Sequence, residues 1–242
     1  MDCAYVTSVL TGWIRDRVIA GGCQGVVLGM SGGLDSSVAA VLCKRSFPQD
    51  MLGLVMPCYS CDEDAGHAGA VASRFDIPIR VINLDGVLDK VLEALGVEGV
   101  DNDQGGTAVA NLKVRLRMPP LYYYANQLGY VVVGSSNRCE LALGYFTKYG
   151  DGGVDMLPLG DLVKSQVREL ARFLNIPQDI IDKPPSAGLW PGQTDEGEMG
   201  FGYDMLDRYL LTGEAPEGVR EAIESRMTAN AHKRQPPPVA VI

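Results

Sequence analysis

One short segment limits the chain more than any other. Residues 26–43, VVLGMSGGLDSSVAAVLC, run from a continuous apolar stretch through a turn of glycines, serines and one aspartate into a helix of small residues. A four-residue apolar run is the pattern of a strand buried on both faces, and such strands belong to parallel sheets covered by helices. The rest of the chain repeats the alternation. Apolar runs at 52–56, 79–82 and 130–134 predict three more strands buried in the same way, and periodic stretches at 36–44, 64–75, 87–95 and 107–128 predict helices between them. Tyr5, Val9, Trp13 and Val18 predict a helix ahead of the first strand. Three more helices, at 162–174, 205–211 and 219–227, follow the last strand, with the turn-rich DKPPSAGLWPGQTDEGE among them. The expected fold is α/β, a doubly wound, mostly parallel sheet with helices on both faces, forming one domain over 1–242. Its last part, 228–242, should be an extended tail, because the prolines at 236–238 cannot continue a helix.

A formal net charge of −9 argues against non-specific binding to nucleic acid or anionic membranes, since both rest on clustered positive charge. No apolar segment approaches the ~20 residues that cross a bilayer, and nothing near Met1 reads as a secretory leader. The expectation is a soluble, cytoplasmic protein with neither a nucleic-acid nor a membrane partner. Its six cysteines then default to reduced thiols. Cys58 and Cys61 form a lone CxxC, and His67 and His232 are the only histidines, so a structural metal site lacks ligands and incidental cysteines are the favoured reading.

In a doubly wound sheet, ligands gather at the carboxyl ends of the strands, which is where residues 31–37 lie. Free N–H groups at the helix start, close approach at Gly32 and Gly33, and the hydroxyls of Ser31, Ser36 and Ser37 compose an anion cradle. The common G-x-x-x-x-G-K-[ST] pattern is absent, and Asp35 stands where that loop wants a cation. A carboxylate beside phosphates is repulsive unless a divalent ion lies between them, so Asp35 implies magnesium. The competing reading is a plain strand–helix turn with a capping aspartate; the strand-end position favours phosphate.

Residues 31–37, SGGLDSS, resemble the SGGxDS loop of the N-type ATP pyrophosphatases, or PP-loop family, which split ATP between its α and β phosphates. Longer stretches resemble NAD synthetases in particular. They are NLKVRLRM at 111–118, SSNRCELALGYFTKYGDGGVDMLPLGDLVKSQVREL at 135–170, PSAGLWPGQTDEGEMGFGYDMLDRYL at 185–210 and HKRQPPP at 232–238, in the family's order. The resemblance implies a Rossmann-like, adenine nucleotide alpha hydrolase-like fold. It also implies a ligase that amidates deamido-NAD, the nicotinic acid adenine dinucleotide, to NAD+ through an adenylated carboxylate, releasing AMP and pyrophosphate. Glutamine-using relatives carry an additional amidase domain for which 242 residues leave no room, so ammonia is the expected nitrogen donor. ATP would be the co-substrate, Mg2+ the cofactor and a homodimer the assembly, with 118–124 as a candidate contact.

Matched position by position, Gly29, Met30, Ser31, Gly32, Gly33, Leu34, Asp35 and Ser36 would hold ATP together with Ser135, Lys164 and Ser186. Asp35 and Glu140 would bind magnesium, Glu140 standing just past the strand at 130–134 where it can face the same crevice. Arg115, Lys148, Asp155, His232 and Lys233 would hold deamido-NAD. Lys113 and Arg117, two positions either side of Arg115, point to other helix faces and read as surface charges or pyrophosphate partners. Asp35, Glu140, Lys164 and Asp151 form the candidate catalytic set, Asp151 by orienting or deprotonating ammonium. Glycines at 150, 152 and 153 imply that 149–155 closes over the site and excludes water. Two other classes stay open. A tRNA-thiolating enzyme would share the loop and use Cys58, Cys61 and Cys139, against which stand the charge and the later stretches. A non-catalytic ATP sensor would need the loop but not Glu140, Lys148 and Lys164.

Overall fold

A computed structural model describes residues 1–97, 106–190 and 192–241 of the chain. Helix α1 (Cys3–Ala20) precedes strand β1 (Gly25–Gly29), α2 (Leu34–Ser46) leads to β2 (Met51–Val55), and α3 (Asp62–Arg74) to β3 (Ile79–Val81). Helices α4 (Asp85–Ala94), α5 (Gly106–Leu116) and α6 (Met118–Leu128) come before β4 (Tyr130–Val133). After the sheet follow α7 (Arg138–Leu143), α8 (Lys164–Phe173), α9 (Gln178–Asp182), α10 (Asp195–Met199), α11 (Tyr203–Thr212) and α12 (Glu217–Ala229), and then a single 3-10 turn, Ala231–Lys233. No helix among the described residues is long and apolar enough to cross a membrane.

The strands form one parallel sheet in the order β3-β2-β1-β4. Successive side chains of a strand face opposite ways, and the register turns that alternation into two cores. Val27 lies opposite Leu52 and Val132, and all three join the apolar layer beneath α4, α5 and α6. Val26 and Leu28 point to the other face, where α1, α2, α8 and α9 bring Ile14, Val38, Leu170 and Ile180. Val26 and Val27 are both fully buried, as strands covered on two faces require. A third cluster, including Cys139, Leu143, Val163, Leu206 and Ile223, gathers α7, α11 and α12 into a separate apolar layer.

Three expectations change. β3 is the edge of the sheet rather than a strand buried on both faces: Arg80 and Val81 are exposed, because β2 is its only strand partner among the described residues. The helix expected over 107–128 is two helices, broken at Arg117, because Pro119 and Pro120 fall in the first turn of α6 and supply no N–H to the preceding turn. The segment expected to be extended from 228 is helical to Ala229 and turns again at 231–233 before extending; Ile242 lies outside the described residues.

Strand order changes direction between β1 and β4, since the chain leaves β1 toward β2 and β3 and returns on the far side. The carboxyl ends of those two neighbours therefore flank a crevice, the usual ligand position in such sheets.

Candidate active site

The loop after β1 is shaped for a guest. Gly33 caps α2 in extended conformation (φ −83°, ψ 168°) and no side chain takes up the helix's first N–H groups, which leaves them as donors with the positive end of the helix behind them. Gly32 has φ +80°, and a Cβ there would lie 2.1 Å from the Asp64 carbonyl oxygen, so the loop can pack on α3 only with glycine. Ser31 Oγ and Ser36 Oγ are 2.9 Å apart, and the Gly33 N–H donates to Ser31 Oγ at 3.3 Å. Ser37 is buried and donates to the Gly33 carbonyl at 2.7 Å, so its hydroxyl holds the loop rather than a ligand. Of the ATP candidates, all except Gly32 line the crevice.

Opposite the loop, α7 begins with a capping box. Asn137 Oδ1 accepts from the Glu140 N–H at 3.1 Å, and Glu140 Oε2 accepts from the Asn137 N–H at 3.2 Å, which fixes the Glu140 side chain by the helix's own start. The fully buried Asn137 then donates its side-chain amide to Asp35 Oδ1 at 2.9 Å and to Glu140 Oε1 at 3.0 Å. Lys164, the first residue of α8, donates to Asp35 Oδ2 at 2.5 Å, lies 3.9 Å from Glu140 Oε1, and sits 5.1 Å above the Tyr203 ring. Burial first, then the neighbouring Asp35 charge, push the Glu140 carboxyl up to about 8 against the pull of Lys164. Burial works against the Lys164 charge, but Asp35 and Glu140 outweigh it and hold the ammonium above its ordinary range. Two oxygen-donor carboxylates that repel each other in a half-dry site beside a phosphate cradle suit a hard divalent cation, so the donor set fits magnesium.

Of the other candidates, Ser135, Ser186 and Asp151 line the same crevice. Asp151 Oδ1 accepts from the Thr147 N–H at 2.8 Å, which folds the glycine-rich loop back on itself. Arg115, Lys148, Asp155, His232 and Lys233 do not line it. Arg115, Lys148 and His232 are brought together outside it: Arg115 Nε donates to the Lys148 carbonyl at 3.2 Å, and Lys148 Nζ to the His232 carbonyl at 2.9 Å. Lys233 Nζ donates to the carbonyls of Gly144 and Phe146 at 2.8 and 3.0 Å, capping the end of α7. Asp155 is held apart from these, accepting from the Val132 N–H at 2.7 Å and from the Tyr122 hydroxyl at 3.2 Å.

Lys113 and Arg117 are not surface charges. Lys113 is 2% exposed and donates to the Leu189 carbonyl at 3.2 Å, tying α5 to the loop that carries Ser186. Arg117 lines the crevice, its Nε on the Met56 carbonyl and its Nη2 on Ser60 Oγ, both at 3.1 Å, and burial holds the guanidinium below its ordinary range. Lys113 turns inward onto the 183–189 loop and Arg117 onto the 56–60 loop, contacts that no local pattern announces. Sequence reasoning also missed Asp195, 4% exposed, which accepts from Tyr203 at 2.9 Å and Tyr145 at 3.3 Å and lines the crevice. It missed Lys183 as well, which pairs with Asp64 at 2.5 Å and straps the 183–189 loop to α3.

The family model for NAD synthase matches residues 6–237. The NH(3)-dependent NAD(+) synthetase of Syntrophomonas wolfei is 47% identical over 246 residues, covering 100% of this chain and 98% of the relative. Among solved structures, NMN synthetase from Francisella tularensis superposes with a TM-score of 0.94 at 34% identity, covering 100% of both chains. NH3-dependent NAD synthetase from Campylobacter jejuni, in complex with the nitrate ion, gives 0.81 at 30% identity, again over 100% of both chains. With matches of this length on a site of this geometry, the chain belongs to the NAD synthase family.

Proposed function

We propose that the chain makes NAD+ by ATP-dependent amidation of deamido-NAD with ammonia. The observation that carries the reading is the Asp35–Asn137–Glu140–Lys164 group facing the cradle of residues 31–36. A carboxylate resists ammonia because it is negatively charged and has no good leaving group; adenylation removes both obstacles. The nicotinate carboxylate oxygen attacks the α phosphorus of ATP, and pyrophosphate departs into the N–H groups and hydroxyls of the cradle. Ammonia then adds to the acyl carbon, AMP leaves, and the surplus proton passes to a crevice base; our candidate is Asp151, which lines the crevice. Asp35 and Glu140 would hold Mg2+, which when bound supplies positive charge at the phosphates. Lys164 adds a fixed cation at the same point, preorganised by burial. Ser135 and Ser186 bound the nucleotide from the crevice walls, and the 149–155 loop shields the adenylate from water. Arg115, Lys148, Asp155, His232 and Lys233 hold the dinucleotide, whose far end reaches beyond the crevice toward a second subunit of a homodimer.

The test is incubation with ATP, deamido-NAD and ammonium: AMP should appear one-for-one with NAD+, and ATP left intact would refute the reading. Glutamine as sole nitrogen donor should give no NAD+. The 0.94 superposition on NMN synthetase favours a second reading, in which the mononucleotide is the acid amidated. The ratio of kcat/KM for the dinucleotide and the mononucleotide decides between them.

A further inference from the structure

We propose that Asp207, on α11, is a positioning residue that fixes Lys164 and Glu140 relative to each other. The proposal rests on the site reading given above for those two residues. Helix α8 starts at Lys164 behind Val163, whose side chain has no acceptor. Half of a capping box is nevertheless present, since Gln166 Oε1 accepts from the Val163 N–H at 3.0 Å. Asp207 supplies the missing half from another helix: its Oδ1 accepts from the Lys164 N–H at 3.1 Å and its Oδ2 from the Ser165 N–H at 2.7 Å. The same Oδ1 accepts from the Cys139 thiol at 3.0 Å. Cys139 directly precedes Glu140 on α7.

Asp207 is 5% exposed, lines no part of the crevice, and makes no ion pair among the described residues. A buried carboxylate without a cation is costly unless its oxygens are satisfied. The free N–H groups and positive end of α8 satisfy it, and its charge strengthens the bonds in return. Cys139 is itself fully buried, and Asp207 is the acceptor that satisfies its thiol. One carboxylate thus joins the backbone that presents the ammonium to the helix that presents the second carboxylate. A misplacement near 1 Å at reacting groups costs on the order of 10²-fold in rate.

The test uses the full chain bearing Asp207→Asn, in which an amide NH2 must face a backbone N–H or the thiol. Pyrophosphate release in a single turnover should slow about 10–100-fold, with the KM for deamido-NAD within about twofold. In the ligand-free protein, the amide protons of Lys164 and Ser165 should exchange faster than those of the wild type. A folded Asp207→Asn protein with wild-type release overturns the proposal, as does one whose KM rises in step with the loss of rate. If the variant does not fold, Cys139 decides. Cys139→Ser keeps a hydroxyl donor and should match the wild type, while Cys139→Ala should be slower by about threefold, the worth of one weak hydrogen bond. Equal rates for the pair overturn the proposal. A Lys164→Met protein with unimpaired release would instead sink the site reading itself.

Discussion

Replacing Gly32 by alanine tests the phosphate loop without touching a charge. The backbone there has φ +80°, which costs an L-residue about 1–2 kcal/mol. The new methyl would sit 2.1 Å from the Asp64 carbonyl oxygen, 2.9 Å from its carbon and 3.1 Å from His67 Cβ. These are backbone and Cβ atoms rather than the far end of a flexible side chain, so the first turn of α3 must give way, at about 1–3 kcal/mol for overpacking. Together the loss is about 2–5 kcal/mol in a urea unfolding titration without nucleotide. If the loop escapes by pushing α3 aside, Asp64 moves with it, and through its ion pair with Lys183 so does the 183–189 loop. Part of the overpacking cost is then relieved while the φ cost remains, and the affinity for MgATP in calorimetry falls at least about tenfold, a change of ~1.4 kcal/mol. Gly69→Ala is the control: nothing lies within 4 Å of its Cβ position in the middle of α3, and alanine should add about 0.5–1 kcal/mol. A Gly32→Ala protein with both stability and MgATP affinity unchanged would refute the reasoning.

Lys164→Met removes the one cation that, among the described residues, pairs with both Asp35 and Glu140; adenylation should slow by about 10²–10³-fold in a pyrophosphate-release assay, the cost of losing one preorganised charge. The raised Glu140 carboxyl means that the folded, metal-free protein holds a proton the unfolded chain releases near pH 4.5. Stability is therefore full below about pH 4.5 as far as this group is concerned, and its contribution is lost as pH climbs toward about 8. Melting temperatures across that window should fall in the absence of magnesium, and Glu140→Gln should flatten the trend. Arg117→Met leaves the Met56 carbonyl without its donor and removes one of two donors from the Ser60 hydroxyl, which keeps the Cys58 N–H; this should cost about 1–3 kcal/mol in denaturant unfolding and weaken ATP binding. Arg234→Ala should speed hydrogen exchange at the end of α7, because that guanidinium bonds the carbonyls of Leu141, Ala142 and Met227.

What the sequence displayed well was whatever depends on local order. β1 and the loop behind it were readable because a buried strand needs an unbroken apolar run and a left-handed turn needs glycine, and both fall within a dozen consecutive positions. Glu140 was placed because strand end and helix start follow each other directly. The surface reading of Lys113 and Arg117 failed because their surroundings, Leu189 and the 56–60 loop, are distant in the chain and add no local periodicity; the reading as pyrophosphate partners stays open. Asp207 was invisible for the same reason: in its own helix it is one more polar residue, and only the docking of α11 on α8 turns it into a cap. β3 looked like an interior strand because Ile79, Val81 and Ile82 are apolar, yet its position at the edge is decided by the strand order, which no single strand encodes.

The partners that surround Asp35 are separated from it by 102 residues at Asn137 and 129 at Lys164, and Asp64 lies 119 residues from Lys183. During synthesis, a chain that has emerged past α2 already owns the cradle but none of the groups that make it useful. At ribosomal rates of about 5–20 residues per second, some ten to thirty seconds elapse before α11 is available. For that interval the nascent protein lacks the groups proposed to hold and spend nucleotide, so on that reading competence arrives in one late step rather than accumulating as the chain grows.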